Sequence, residues 1–249
     1  MLEDINTPQP YLTVFPDVKD VFAEPVEKYA QLINPYLSID LSAVNPVWTG
    51  KVHLVSPVEP VDCLLGELTA NAHNNFLRMN WLAFKLNIEN KYELLGDFAF
   101  FARENDDLKA PYKSFKKENY LKELYECYAD NQKHFAEAKA KYAKYGALYG
   151  DRGETLAEKQ AIWTEPMNLL DQLGGEVGDA NWCSYCDGIN MNMDDEDNVY
   201  PISPAGNRFY FIAGVPGYHY ITKGYSEPDW IVLFYEPIER LVWFTFDYS

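Results

Sequence analysis

Two cysteines lie three positions apart in this sequence, Cys183 and Cys186, and such a pair can serve two kinds of chemistry. It can provide half of a structural zinc site, which needs four ligands, or the dithiol of a redox centre. The other cysteines, at positions 63 and 127, are isolated, so the second half of a zinc site is missing. A redox dithiol favours a helix N-terminus, whereas the following residues alternate like a strand. We therefore predict two thiols at a turn and no metal site, with Cys183 and Cys186 as the ligand candidates to test.

Four consecutive acids, Asp194 to Asp197, could instead bind a cation. A calcium loop of the EF-hand type has glycine at its sixth position and glutamate at its twelfth. Counted from Asp194, those positions hold Val199 and Ala205, so the pattern fails. The run is then, in order of preference, a solvated loop, part of a surface that faces another protein, or a cation site of another type. With nearby acids and aromatic residues it gives our candidates for partner binding, which are Asp179, Trp182, Tyr185, Asp187, Asp194, Asp195, Glu196, Asp197 and Tyr200.

The common catalytic signatures are absent from the sequence. It contains no glycine-rich phosphate loop, no dinucleotide-binding glycine pattern, no zinc-protease motif and no nucleophile elbow. The four histidines, at positions 53, 73, 134 and 219, are far apart and lack acidic or cysteine neighbours at ligand spacing. A folded chain could still bring a distant triad together. We predict no catalytic residues and no cofactor.

Length and composition indicate one soluble domain. The 249 residues are enough for a substantial core, and we treat residues 1–249 as a single domain. The N-terminus has neither the basic region nor the apolar run of a secretory signal, and no apolar stretch reaches the roughly 20 residues that span a bilayer. Four cysteines are too few for a disulfide-stapled secreted domain. We expect a cytoplasmic protein with reduced thiols and no membrane contact, and we predict no oligomeric state.

The net charge of −17 limits the partners that the chain can bind. Residues 151–249 carry five basic and seventeen acidic side chains, so the acidity is concentrated towards the C-terminal end. Direct binding of nucleic acid requires clustered Lys and Arg, so we exclude it. An acidic surface attracts a basic partner and speeds its association, although many proteins are acidic for solubility alone.

The first two thirds of the chain suggest helices. Residues 1–60 contain eight prolines and are predicted to wrap over a core built elsewhere. Residues 61–165 are predicted to be mostly helical, beginning with an apolar stripe from Val61 to Ala72. The run from Phe76 to Phe101 suits either strands or a buried helix, because periodicity alone does not separate the two.

The clearest helical pattern lies between Ser114, a candidate N-cap, and Gly146, which stands where a left-handed C-terminal cap belongs. A capping box from Thr155 to Glu158 then predicts a shorter helix to about Trp163, so that the two helices form a hairpin.

After Pro166 five short runs rich in strand formers are separated by glycine or proline. They predict an antiparallel sheet over residues 166–249. The expected fold class is α+β, with a helical N-terminal and central part, a long helical hairpin and an antiparallel sheet at the C-terminal end. The predicted strands are Ile189–Met193, Phe209–Ala213, Tyr218–Thr222, Trp230–Tyr235 and Leu241–Phe246.

About the last 80 residues resemble the YwqG-like family, a bacterial domain of unknown biochemical function. The resemblance implies an α+β fold without a cofactor. Some relatives occur beside secreted toxins, including those of type VI secretion, where they are thought to act as immunity proteins. The motifs that carry it are Leu173-Gly174-Gly175, Trp182, the strand Gly206 to Ile212, the strand Ile231 to Pro237 and the strand Leu241 to Asp247.

These observations predict an immunity protein that is not an enzyme and that binds and occludes a cognate secreted toxin. The acidity favours a basic toxin, for which a nuclease is one possibility. Two alternatives remain open. One is a metal- or thiol-dependent enzyme that uses Cys183 and Cys186, and the other is a housekeeping scaffold for protein interactions.

Overall fold

Strands dominate this protein. The computed structural model describes residues 1–59, 63–109, 115–149, 166–222 and 227–248, and this part of the chain contains twelve strands in three sheets. The prediction of a helical N-terminal and central part is therefore wrong. The physical reason is that several strands are buried on both faces, which removes the alternation that marks a strand in sequence.

The largest sheet has seven strands, and every neighbouring pair is antiparallel. It takes strands from the beginning, the middle and the end of the chain, so it is not confined to residues 166–249. In sheet order the strands are β1 (Leu2–Ile5), β7 (Leu170–Leu173), β10 (Tyr210–Val215), β11 (Trp230–Glu236), β12 (Leu241–Asp247), β5 (Trp81–Leu86) and β6 (Tyr92–Leu94).

Strand β12 lies inside this sheet, between β11 and β5, and all seven of its residues are buried. On one face the Trp243 ring stacks on Phe209, with centroids 4.7 Å apart. On the other face Phe244 meets Phe84 edge to face at 6.0 Å. The two covered faces explain why the run from Phe76 to Phe101, which contains β5 and β6, is ambiguous in sequence.

The proline-rich segment 1–60 forms a second sheet rather than a wrap. Its strands run in the order β2 (Leu12–Val14), β3 (Ile33–Asp40) and β4 (Lys51–Pro57), and two short helices precede β3, α1 (Val18–Val21) and α2 (Val26–Leu32). Pro35 lies inside β3, next to an irregularity in its register with β4. Proline lacks the amide that a regular ladder uses, so a bulge is where a strand tolerates it.

The prediction that residues 61–165 are mostly helical is wrong for the described residues before α4, which form strands, short helical turns and connections. The apolar stripe from Val61 to Ala72 gives, in its described part, a short 3-10 helix over Glu67–Ala72 that follows Gly66 in a left-handed conformation, with φ +75°. After β6 come two more 3-10 turns and a one-turn helix. These are Phe98–Phe100, Ala102–Glu104 and α3 (Asp106–Lys109).

The long helix is confirmed as α4 (Phe115–Tyr145). Gly146 has φ +72°, and its amide donates to the Tyr142 carbonyl at 2.7 Å, as the C-terminal cap requires. Phe135 of α4 packs on Phe15 at 5.5 Å and on Tyr36 of β3 at 5.8 Å, which holds the helix against the second sheet. The predicted partner helix, from Thr155 to Trp163, lies outside the described residues.

The third sheet is a hairpin of β8 (Asn190–Met193) and β9 (Val199–Ile202). The predicted strands at 189–193, 209–213, 230–235 and 241–246 are confirmed within two residues at either end as β8, β10, β11 and β12. The predicted strand Tyr218–Thr222 is wrong, because a 3-10 turn occupies Gly217–Tyr220.

Candidate functional site

The four consecutive acids form the tight turn of the β8–β9 hairpin. Met193 pairs with Val199, and the Asp197 amide donates to the Asp194 carbonyl at 3.1 Å. Asp197 has φ +63°, a conformation that Asp tolerates better than most residues. Pro201 lies within β9, opposite Met191, so the connection between the two strands is short. The acids are therefore held on a short, defined turn.

Asp194 differs from the other three acids because its carboxylate builds the turn. Its Oδ1 accepts hydrogen bonds from the amides of Glu196 and Asn198, both at 3.1 Å, and from Asn198 Nδ2 at 3.0 Å. Partial burial acts to raise the pKa of Asp194, but the bonds from Asn198, Glu196 and Arg208 outweigh it, and the pKa lies below its ordinary value. Asp195, Glu196 and Asp197 are exposed and leave the surface strongly acidic.

Arg208 fixes the hairpin to the start of β10. Its guanidinium lies 3.8 Å from the centre of the Tyr200 ring and 5.5 Å from that of Tyr210. Nη2 is 3.2 Å from Asp194 Oδ2, so a single cation joins the turn to two aromatic rings. Sequence reasoning missed this residue. The available signal was that Arg208 is the only Lys or Arg between positions 160 and 222.

A cavity of about 170 Å³ opens beside the hairpin. Trp48, from the segment between β3 and β4, forms one wall, and its ring meets Tyr210 edge to face at 5.3 Å. Sequence reasoning missed Trp48 as well, because it lies in a part of the chain that was predicted to cover a core elsewhere. The side chains that give the cavity its chemistry are Trp48, Glu176, Tyr200, Arg208 and Tyr210.

Two carboxyl groups meet at this surface. A side-chain hydrogen bond to Glu176 is the main cause that raises the pKa of Glu196, and the charges of Glu176 and Asp194 add to it. Both glutamates are exposed. When both groups are ionised they repel each other, so a cation close to them would be favoured. Arg208 already occupies the Tyr200 ring, so a Lys or Arg side chain of a partner would meet these carboxylates and the Trp48 ring.

The other candidate residues lie on the segment before β8. Asp179, Tyr185 and Asp187 are exposed, whereas Trp182 is fully buried. Trp182 lies in a short 3-10 helix over Asn181–Tyr185 and packs on Trp81 and Phe234, with ring centroids 6.1 and 5.6 Å away. Trp182 therefore attaches this segment to the main sheet and does not lie on the surface.

Cys183 and Cys186 are partly buried on the same segment. Burial, followed by the charges of Asp179 and Asp247, raises the pKa of Cys183. Burial, Cys183 and Asp187 raise the pKa of Cys186 to about 12. The thiolate is the form that attacks substrates and binds metals, so these surroundings favour neither use. Among the described residues, no three His, Cys, Asp or Glu side chains come together as a metal-binding group.

Ser38 and His53 resemble a nucleophile and its base. The Ser38 hydroxyl lies 2.7 Å from His53 Nδ1, and His53 Nε2 lies 2.6 Å from the Asn90 carbonyl. A carbonyl only accepts, so Nε2 carries the proton and Ser38 donates to Nδ1. Burial lowers the pKa of His53 to about 4. Both side chains lie within the second sheet with at most 5% exposure, out of reach of a substrate, so the pair is structural.

Two buried carboxyl groups attach α4 to the rest of the protein. Glu59 is 2% exposed and accepts from the Tyr128 hydroxyl and the Ala102 amide, both at 2.7 Å. Burial raises the pKa of Glu59 to about 7, although these hydrogen bonds act in the opposite direction. Tyr128 belongs to α4 and Ala102 to a 3-10 turn, so Glu59 joins two elements.

Glu227 makes the second attachment. Glu227 as a whole is partly exposed, but its carboxyl group is enclosed. This carboxyl group accepts hydrogen bonds from the Tyr36 hydroxyl at 3.0 Å and from Asn131 Nδ2 at 2.9 Å. Asn131, three residues after Tyr128 on α4, also accepts from Asn34 of β3 at 2.5 Å. Burial raises the pKa of Glu227 to about 7. Protein donors occupy both carboxyl groups, so we assign them a structural role.

No protein-family model, curated protein or solved structure matches this chain. The resemblance of its last third to the YwqG-like family therefore stays a prediction. No described helix combines the length and the apolar character needed to cross a membrane. A function for this protein has to be inferred from the geometry of its surface.

Proposed function

We propose that this chain is an immunity protein that binds and occludes a basic bacterial toxin in the cytosol without catalysing a reaction. The observation that carries the proposal is the acidic turn, defined as Asp195, Glu196 and Asp197, which the β8–β9 hairpin displays beside the cavity of Trp48 and Tyr210. An acidic rim around aromatic side chains suits a protein surface rich in Lys and Arg.

The charges of this region favour a cationic partner in two ways. The overall charge of −17 increases the rate at which a basic protein meets the surface. At short range, Glu176 and Glu196 are two exposed carboxyl groups, and their charges favour the approach of a Lys or Arg side chain. A nuclease fits such a partner, because its active site carries the basic residues that bind phosphate.

The rigidity of the turn supports inhibition by occlusion. Asp194 and Arg208 hold the turn in one conformation, so little conformational entropy is lost when the acids meet a partner. A preformed acidic surface over a basic active site excludes the substrate without chemistry by the inhibitor.

The test uses the protein encoded by the gene adjacent to that of this chain. We expect its expression in the cytosol of a bacterial host to stop growth and co-expression of this chain to restore it. The double variant Asp195→Lys with Glu196→Lys should lose protection, and the purified variant should associate with the toxin at least tenfold more slowly at low salt.

A matched control separates the turn from net charge. Glu123 and Glu126 lie exposed on α4, and changing both to Lys alters the total charge by the same amount. This control should still protect the host. A non-toxic neighbour, or a purified toxin that does not bind this chain, would refute the proposal. If both double variants lose protection equally, the acidic turn is not part of the interface.

A further inference from the structure

Three large aliphatic side chains are almost fully exposed at one end of the molecule. Val47 is 81%, Ile88 91% and Ile238 76% exposed. Each lies in a connection between neighbouring antiparallel strands: β3 to β4, β5 to β6, and β11 to β12. Val47 and Ile88 line one open groove, and Ile88 and Ile238 line the next. We call these three residues the apolar tip. Polar residues are usual in such turns, so the apolar tip requires an explanation.

Asn90 holds the three connections together. Its Oδ1 accepts a hydrogen bond from Arg240 Nη2 at 2.8 Å, which joins the β5–β6 turn to the β11–β12 turn. Gly50, with φ +91°, lies so close to the Asn90 amide that a Cβ atom would collide with it. The Asn90 carbonyl also accepts from His53 Nε2 in β4. The apolar tip is therefore displayed on a fixed framework.

The β5–β6 and β11–β12 turns are also closed by their own hydrogen bonds. The Asn87 side chain accepts from the amides of Glu89 and Lys91, both at 2.9 Å. The buried Glu236 carboxylate accepts from the amides of Ile238 and Glu239 at 2.6 and 2.7 Å. The backbone of such turns therefore loses little freedom on binding, which is the property of a preformed interface.

The apolar tip is continuous with the surface assigned to the toxin. Trp48 lines both the groove of Val47 and Ile88 and the cavity beside the acidic turn. The groove of Ile88 and Ile238 carries Glu89, Glu93 and Glu239 together with Lys85 and Arg240. Lys91 pairs with Glu89 at 3.2 Å, so acidic and basic side chains are equally numerous around this groove.

We propose that the apolar tip is the hydrophobic centre of the interface with the same basic partner, a deduction that rests on the proposed function. The partner would place apolar side chains on Ile88 and Ile238 and basic side chains around them. In this arrangement the acidic turn controls the rate of association, and the apolar tip controls how long the complex lasts.

The net charge of the whole chain decides between the possible occupants of the apolar tip. A second copy of this chain would bring two acidic surfaces together at a total charge of −17 each. An anionic bilayer would be repelled for the same reason. A basic protein gains from both the charge and the apolar contact.

The test measures association and dissociation rates with the purified product of the adjacent gene. The double variant Ile88→Ser with Ile238→Ser should weaken binding about 30-fold, mainly through faster dissociation, with unchanged dependence on salt. Leu68→Ser is the matched control, because Leu68 is 41% exposed on the 3-10 helix Glu67–Ala72 and lies outside both grooves. This control should bind like the unchanged chain. Folding of each variant is checked by thermal unfolding.

The outcomes separate the two proposals. Unchanged binding by the Ile88 and Ile238 variant, when the turn variant binds more slowly, would overturn the role of the apolar tip and leave the proposed function in place. No binding by the unchanged chain would overturn both. Light scattering that shows a dimer lost in Ile88→Ser, or flotation with phosphatidylcholine vesicles lost in the same variant, would assign the tip to self-association or to a membrane and overturn the proposal.

Discussion

The acidic turn and the two buried glutamates, Glu59 and Glu227, place the same chemical group in opposite surroundings. Asp195 and Glu196 face water at the end of the β8–β9 hairpin. Glu59 and Glu227 are enclosed, accept hydrogen bonds from α4, and have pKa values raised to about 7 by burial. An exposed carboxylate can attract a partner, whereas an enclosed one positions the elements that donate to it.

The comparison also shows where charge is costly. Water solvates the carboxylates of the turn, so this charge costs little folding free energy and can be altered freely. The carboxyl groups beneath α4 must either take up a proton or keep every donor in place. The two regions should therefore respond differently to substitution and to pH.

The largest expected effect is that of Glu59→Ala. It removes the acceptor for Tyr128 and Ala102 inside the protein, and we expect the free energy of unfolding at pH 7 to fall by about 3 kcal/mol. Asp195→Ala should change it by no more than about 0.5 kcal/mol. Urea denaturation measures both values, and similar effects of the two substitutions would contradict the distinction between the regions.

The pH dependence of stability gives a second test. The pKa values of Glu59 and Glu227 are higher in the folded protein than the usual 4.5, so the folded state binds more protons between pH 4.5 and about 7. The contribution of these two protonated carboxyl groups to the free energy of unfolding is complete below pH 4.5 and is lost as the pH rises through 7. Each carboxyl contributes roughly 3 kcal/mol to this loss. Replacing both with Gln should flatten the profile.

His53 changes the stability with pH in the opposite direction, and the experiment has to be designed so that this change cancels. Its folded pKa of about 4 lies below the usual 6.5, so its contribution is lost as the pH falls from 6.5 towards 4. The contribution of His53 is the same in the unchanged chain and in the Gln variant. The informative quantity is therefore the difference in the free energy of unfolding between these two proteins. A difference that does not vary between pH 4.5 and 8 would contradict the raised pKa values.

The smallest expected effect compares two neighbours within the turn. Asp194→Ala removes the acceptor for the amides of Glu196 and Asn198, and their hydrogen exchange should accelerate about tenfold. Asp195→Ala should leave these amides unchanged. Exchange measured by NMR decides the point, and equal acceleration would show that Asp194 does not hold the turn.

The sequence predicted those elements whose signals are local. Helix α4 has exposed and buried faces and a glycine at its end, and strands β11 and β12 are separated by a turn that contains Pro237. It did not predict that β1 pairs with β7 or that β5 pairs with β12, because register between distant segments depends on the complete core. Strands buried on both faces also lose their alternation.

The candidate site was predicted in part. The acids of the turn could be placed on the surface because four consecutive charges are rarely buried. Trp182 was assigned to the same surface, but Trp81 and Phe234 bury it, and both are distant in sequence. Trp48 and Arg208 reach the cavity from different parts of the chain, and no local pattern gives that information.

The position of β12 has a consequence for synthesis of the protein. It is the last described strand along the chain, yet β5 and β6 join the seven-stranded sheet only through it. During synthesis, β5 therefore lacks its β12 neighbour until almost the whole polypeptide has emerged. The ring of Trp81, which packs on Trp182, Phe234 and Trp243, is open to chaperones and to other nascent chains during that interval. Translation that stops before Leu241 would leave β5 without β12 and Trp81 without Trp243.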